Sequence, residues 1–365
     1  MKKKIADPGE YILHIEFGSD IDTQANKSVI KKTGENQFWE EACLFRSGRD
    51  ALRMLAKKLY PAHTRVFIPA LSCASMTAPF LQNGIKVVYY PLTEDFTINY
   101  DFLDAHLQDG DIILYMDYFG ISTEKTRQER RTYFAGKKKE KQGLLTLDDR
   151  THSLRRAMGA RFSADYMLFS VRKWASLPDG GLLIPQKPIP FAYDAYDRGY
   201  YEMKKQAMDL KSAYLKDARP ETKERFVRLL EEAEQALSKK NRMIEMSEPS
   251  ARLLKTIDFT EVEAQRKQNA EVLFRILHGH SLLPEVREGP LFFPVMAKNQ
   301  KAAQQYLARS NIYCPVIWPL QDEARGVCGV CEDIAGHMLA IPCDQRYSLQ
   351  ETEYIGGKVL AAVRL

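Results

Sequence analysis

The chain has 365 residues, 45% of them hydrophobic and 28% charged, which suits a folded globular protein of about two domains. Its 53 Lys and Arg against 48 Asp and Glu leave a net charge of +5, too slight an excess to imply nucleic acid. No run approaches the ~18 apolar residues of a membrane span. The basic start, Met1-Lys2-Lys3-Lys4, passes into Asp7-Pro8-Gly9-Glu10 without the apolar core of a signal peptide. A cytoplasmic protein is the expectation, its six cysteines thiols rather than a disulfide scaffold.

Residues 1–40 show no clear period. Ser47-Gly48-Arg49-Asp50 then opens a helix through Ala51–Ala56. The apolar runs Val66–Ile68, Lys86–Tyr90, Ile112–Met116, Leu144–Leu147, Tyr166–Phe169 and Leu182–Ile184 predict strands. They alternate with helical stretches at spacings of roughly 20–35 residues, the rhythm of βαβ units and a mostly parallel sheet. Several lack polar alternation, as strands covered on both faces should. Lys137-Lys138-Lys139-Glu140-Lys141 reads as a solvated helix end.

Beyond Pro190 the rhythm changes, and residues 191–246 read as helical throughout. Pro220 marks one helix start, and Arg225–Lys240 is amphipathic. A second α/β pattern follows: a helix over 262–278, a strand near Leu291–Phe293, a helix over 300–309, an apolar strand Tyr313–Trp318 with Trp318 in the core, and a last helix from about Gln350. These patterns divide the chain into a large unit, 1–248, and a smaller C-terminal α/β unit, 249–365. No internal repeat is visible.

Open α/β sheets place ligands at the carboxyl ends of their strands, and three places there carry chemistry. In Leu147-Asp148-Asp149-Arg150-Thr151-His152, a carboxylate is placed to hold a cationic ring nitrogen; the plainer alternative is a helix N-cap at Asp149. In Phe169-Ser170-Val171-Arg172-Lys173, a lysine ends an apolar strand. Partial desolvation lowers such a lysine's pKa and frees its amine for a Schiff base, and Ser170 and Arg172 beside it are good phosphate ligands. Ser47-Gly48-Arg49-Asp50-Ala51 presents free N–H groups to an anion at a helix start. An aldehyde, a basic ring nitrogen and a phosphate meet in one molecule, pyridoxal 5′-phosphate (PLP).

These segments resemble, in order, motifs of the DegT/DnrJ/EryC1/StrS family of PLP-dependent aminotransferases. Ser47–Leu52 resembles its phosphate-binding helix start, Ile68–Cys73 its stacking segment, and Tyr118-Phe119-Gly120 a turn after a central strand. Asp149-Arg150-Thr151-His152 resembles its Asp-x-x-His motif, and Ser170–Lys173 with Asp179-Gly180-Gly181 its lysine segment. Pro315–Leu320 and Ile341–Tyr347 fit a divergent branch. The resemblance spans about residues 40–350. It implies an α/β fold of the aspartate aminotransferase type and a homodimer with active sites at the subunit interface.

The same resemblance makes Lys173 and Asp149 the catalytic pair, Lys173 forming the Schiff base and shuttling the proton while Asp149 pairs with the pyridine nitrogen. His152 would bond the phenolic oxygen, and Gly48, Arg49 and Ser170 would hold the phosphate. Cys73 stands where many members place an aromatic ring, and residues 191–216 do not match the loop that reaches the partner subunit. The expected reaction moves an amino group from a donor such as glutamate to a keto acceptor such as a nucleotide-linked keto sugar. The remaining alternatives are another PLP reaction (elimination, racemisation or decarboxylation) and a non-catalytic binding module. Cys328-Gly329-Val330-Cys331 has the spacing of a metal or redox pair but lacks a matching second pair, so ordinary thiols are expected. Arg346 suits either a substrate anion or an anchor for the final helix.

Overall fold

The computed structural model describes residues 15–18, 20–25, 39–159, 164–190, 192–239 and 242–365. Among them, the most extensive sheet has seven strands. Its strands are β2 (Cys43–Phe45), β3 (Arg65–Pro69), β4 (Lys86–Tyr90), β5 (Ile112–Met116), β6 (Leu145–Asp149), β7 (Tyr166–Phe169) and β8 (Gly181–Pro185), in the order β2-β8-β7-β6-β5-β3-β4. Pairing is parallel from β4 through β7 and antiparallel at β7–β8 and β8–β2. All six predicted strands are present. Strand β6 runs on to Asp149, so that this residue ends a strand instead of capping a helix. The residues of β5 are buried throughout, as the absence of polar alternation required.

Helices α1 (Gly48–Leu59), α2 (Ala74–Leu81), α3 (Tyr100–His106), α4 (Glu124–Glu140) and α5 (Leu154–Met158) fill the connections. Helix α1 buries Ala51, Met54 and Leu55 completely, and each larger side chain is worth about 1.5–3 kcal/mol. The lysine run occupies the last turn of α4, where cations complement the helix dipole.

Residues 191–246 are not helical throughout. Two long helices, α6 (Arg198–Asp217) and α7 (Pro220–Lys239), are flanked by extended chain, with Asp194 bridged to Ile244 and Phe45 to Glu245. Asp197 caps α6, accepting from Tyr200 N. Ala218 ends it at φ 56°, and Pro220 then opens α7.

The C-terminal part contains α8 (Glu248–Leu254), α9 (Phe259–Leu277), β9 (Phe293–Met296), α10 (Gln300–Ala308), β10 (Ile312–Tyr313), α11 (Gly329–His337), β11 (Met338–Ile341) and α12 (Leu349–Ala362). The strand expected near Leu291–Phe293 lies two residues later and pairs with β11. The expected strand Tyr313–Trp318 shrinks to Ile312–Tyr313, because Pro315 and Pro319 remove ladder donors. That short strand pairs instead with an N-terminal strand, β1 (Phe17–Gly18).

Residues 15–25 are strapped down by cations. Lys211 Nζ donates to the carbonyls of Gly18 (3.0 Å) and Asp20 (2.7 Å). Arg346 forks onto Asp344 at 2.7 and 2.8 Å and reaches the Asp20 carbonyl at 3.2 Å. Arg346 is thus an anchor, and what it fastens is the N-terminal segment.

Candidate active site

The carboxyl ends of β3, β5, β6 and β7 open into a cleft with two connected chambers. Counting the open solvent at their mouths, the inner one spans about 550 Å3 and the outer about 930 Å3. Gly48, Arg49, Cys73, Asp149, His152, Ser170 and Lys173 all border the inner chamber. Cys73, His152, Arg172, Lys173 and Trp318 border both.

Asp149 is 4% exposed and accepts a hydrogen bond from Thr151 N at 2.9 Å. Burial pushes its carboxyl up; the Thr151 bonds and the Lys173 charge pull it back in part. Helix α5 is capped by Ser153, not Asp149. Asp148 alternates to the other side of the strand, where Arg150 and Arg156 hold it. A period-2 strand therefore sends one carboxylate to the cleft and one to structure.

His152 is 3% exposed, and its Nδ1 is buried without a hydrogen-bond partner. Burial first, then the Lys173 charge, holds the imidazole well below its usual pKa, so the ring is neutral. It lies 4.8 Å from the Trp318 ring and 5.7 Å from Phe119. Phe119 sits at φ 53° in the tight turn Tyr118–Gly120. Trp318 is buried, as expected of a core residue, but its ring also walls the cleft.

Lys173 falls in a 3-10 turn, Val171–Lys173, that follows β7 directly. The lysine is exposed to the cleft, while its neighbour Trp174 is an anchor. Trp174 is fully buried, donates Nε1–H to Thr151 O at 2.9 Å, and carries the Arg266 guanidinium 4.6 Å over its ring. An exposed amine thus stands on a turn anchored by Trp174.

The other end of the inner chamber is the start of α1. Ser47 caps it, accepting from Asp50 N. Asp50 is clamped in turn by Arg46 (2.9 and 3.0 Å) and Arg53 (3.0 Å). The first N–H groups of a helix have no partner within it, which leaves those of Gly48 and Arg49 for an anion. The Arg49 guanidinium turns away to Ser238 and Glu234 of α7, at 2.8 Å each. Arg172 differs: its Nε is buried without a hydrogen-bond partner among the described residues, and the Glu234 carboxylate is 3.7 Å from its guanidinium. Ser170 is buried, its N–H given to Thr151 Oγ1. Cys73 is half-buried, with Sγ 2.8 Å from Ser75 Oγ.

Leu237, a wall that sequence reading missed, carries no motif and belongs to α7, 64 residues beyond Lys173 in the chain. The Cys328/Cys331 pair lies outside the cleft walls: Cys328 caps α11, accepting from Cys331 N at 3.2 Å and donating to Leu92 O.

No protein-family model and no curated protein sequence matches the chain. Solved structures do. Spr1654 from Streptococcus pneumoniae in its PLP-form superposes with a TM-score of 0.64 at 15% identity, over 96% of this chain and 98% of that one. PseC from Helicobacter pylori, an aminotransferase involved in the biosynthesis of pseudoaminic acid, gives 0.59 at 16%, over 95% and 99%. A DegT DnrJ EryC1 StrS aminotransferase from Brucella abortus gives 0.58 at 14%, over 88% and 86%. The chain has the fold of these PLP-dependent aminotransferases. No helix among the described residues is long and apolar enough to cross a membrane.

Proposed function

We propose that the chain is a PLP-dependent aminotransferase that takes the amino group of a donor such as glutamate and delivers it to a keto acceptor, with a nucleotide-linked keto sugar as the leading candidate. One observation carries this reading: Lys173, Asp149 and the α1 start line one chamber together with Arg172, whose buried Nε has no hydrogen-bond partner among the described residues. Amine, acid and anion site are the set PLP needs, and the Arg172 guanidinium suits its phosphate.

Bound there, PLP supplies an aldehyde that condenses with amines and a ring that accepts the electron pair released at an amino-acid Cα. Lys173 Nζ borders both chambers. It is placed to hold the aldehyde at rest and to take and return the Cα proton during turnover. Asp149 in its ionised form keeps a proton on the ring nitrogen. Neutral His152 offers a hydrogen bond to the ring's oxygen and, with Trp318, excludes water from one face. Gly48, Arg49 main chain, Ser170 and Arg172 hold the phosphate. Cys73 packs on the cofactor as a soft wall. The family resemblance also implies a homodimer, whose mass sedimentation would report.

The test is the visible spectrum of the purified protein with PLP, before and after glutamate. A yellow band that requires Lys173 and bleaches with glutamate supports the reading. A band that ignores glutamate removes this donor. No band at all overturns the assignment.

A further inference from the structure

Outside the cleft walls, the most unusual acid is Glu288, on the segment that leads into β9. It is 4% exposed and makes no ion pair with any described residue. Its carboxyl accepts from Ser153 Oγ and lies directly on Gly120; a Cβ built there would collide with Oε1. The adjoining chain is docked on the same two turns. Arg287 donates to Ile121 O at 2.8 Å, and Ser153 forms a β-bridge with Pro290. Those turns carry Phe119 and His152, the rings that meet Trp318 at the cleft.

The groups around Glu288 do not neutralise it. Asp117 lies just before the Phe119 turn, its Oδ2 buried without a hydrogen bond and flanked by Arg127 and Arg156 at 3.5 Å each. Helix α9 contributes Glu263, which is occupied by Gly289 N at 3.0 Å. A desolvated carboxyl with acids beside it and no counter-charge in contact takes up a proton.

We infer that Glu288 is a positioning residue for the proposed reaction: as the neutral acid it clamps the C-terminal part of the chain onto the turns that carry Phe119 and His152, and loss of its proton to solvent loosens that clamp. The inference rests on the aminotransferase reading. Burial, with the Asp117 charge next, pushes this carboxyl up to about 8; Ser153 and Arg127 pull the other way and Glu263 adds to the rise. The clamp is therefore closed at neutral pH and opens on the alkaline side.

The unfolded chain ionises near 4.3, so the folded state binds the extra proton between there and about 8, and stability falls as pH rises through that window. Glu288→Gln mimics the neutral acid. Its melting temperature should pull away above wild type as pH rises from about 5 to 9, and PLP affinity, followed by absorbance titration, should lose the alkaline fall that wild type shows near 8. Asp117→Asn, which removes the nearest negative charge, should move that fall to lower pH.

Parallel melting profiles for Glu288→Gln and wild type would overturn the neutral acid. A melting gap with an unchanged alkaline fall would overturn the link to the site. No PLP binding at any pH would strike the aminotransferase reading itself and this inference with it, an outcome distinct from binding with identical pH profiles. If Glu288→Gln fails to fold, Asp117→Asn still decides: a fall that stays put or moves to higher pH overturns the proposal.

Discussion

A Cβ on Gly181 would stand 2.4 Å from the amide nitrogen of Gly48. The first residue of β8 thus serves as the seat for the start of α1, and the backbone of Ser47 and Gly48 can approach it only because it lacks a side chain. Gly181→Ala must push the helix start off its seat. Overpacking of this kind costs about 1–3 kcal/mol. PLP affinity should fall at least tenfold, about 1.4 kcal/mol, since the displaced N–H groups are those assigned to the phosphate. Wild-type affinity in Gly181→Ala, by absorbance titration, would show that the α1 start does not hold the cofactor.

Asp149 trades stability for chemistry. Burial raises its carboxyl pKa, so ionising it in the fold costs stability above the unfolded value of about 3.9 and costs nothing in strong acid. Asp149→Asn keeps an oxygen for Thr151 N and removes the charge. It should melt above wild type at pH 7 and match it near pH 4. The same variant should lose turnover by about 100-fold, roughly 2.7 kcal/mol of barrier, because an amide cannot keep the ring nitrogen protonated. A variant that is both active and more stable would remove Asp149 from the mechanism.

One of the fastenings of the N-terminal strap is a buried pair, Arg346 and Asp344. Burial alone would raise the Asp344 carboxyl, but Arg346 holds it well below the usual carboxylate range. A depressed acid contributes stability above its unfolded pKa of about 3.9 and loses it as pH falls. Arg346→Gln leaves Asp344 buried and uncompensated, a loss of about 3–5 kcal/mol, and leaves the carbonyls of Gly18 and Asp20 to Lys211 alone. Melting should show the deficit largest above pH 5 and narrowing in acid. A pH-independent deficit would mean that packing, not charge, is what Arg346 supplies.

The seven-stranded sheet was legible because most of its strands are unbroken apolar runs, and the cleft was legible because Asp149 and Lys173 each stand at or just past a run's carboxyl end. What sequence could not show has a physical reason in each case. Strand β2 is a three-residue strand beside β8 at one end of the sheet order, too short for any period. Trp318 reads as core because it is buried; that its ring also faces the cleft depends on a loop path set by two prolines. Glu288 sits in an irregular segment with no pattern, and its surroundings exist only once residues 117–120, 153 and 288 are brought together. The two-residue shift of β9 has the same origin: Leu291 and Phe292 are apolar because they line the outer chamber, and the ladder with β11 begins after them.

Two arginines at the anion end separate by their partners. Arg49 gives its guanidinium to Ser238 and to Glu234, itself half-exposed; such a pair is worth up to about 1 kcal/mol. Arg172 has a buried Nε that no described residue satisfies, an arrangement that costs free energy until a ligand fills it. Arg172→Gln should therefore weaken PLP binding tenfold or more, about 1.4 kcal/mol, whereas Arg49→Gln should stay within about threefold because its contribution to the phosphate is main-chain. Titration of both variants with PLP, and with inorganic phosphate as competitor, measures this. The reverse order would mean that the Arg49 side chain leaves α7 when the anion arrives, and that Glu234, released from it, passes to Arg172.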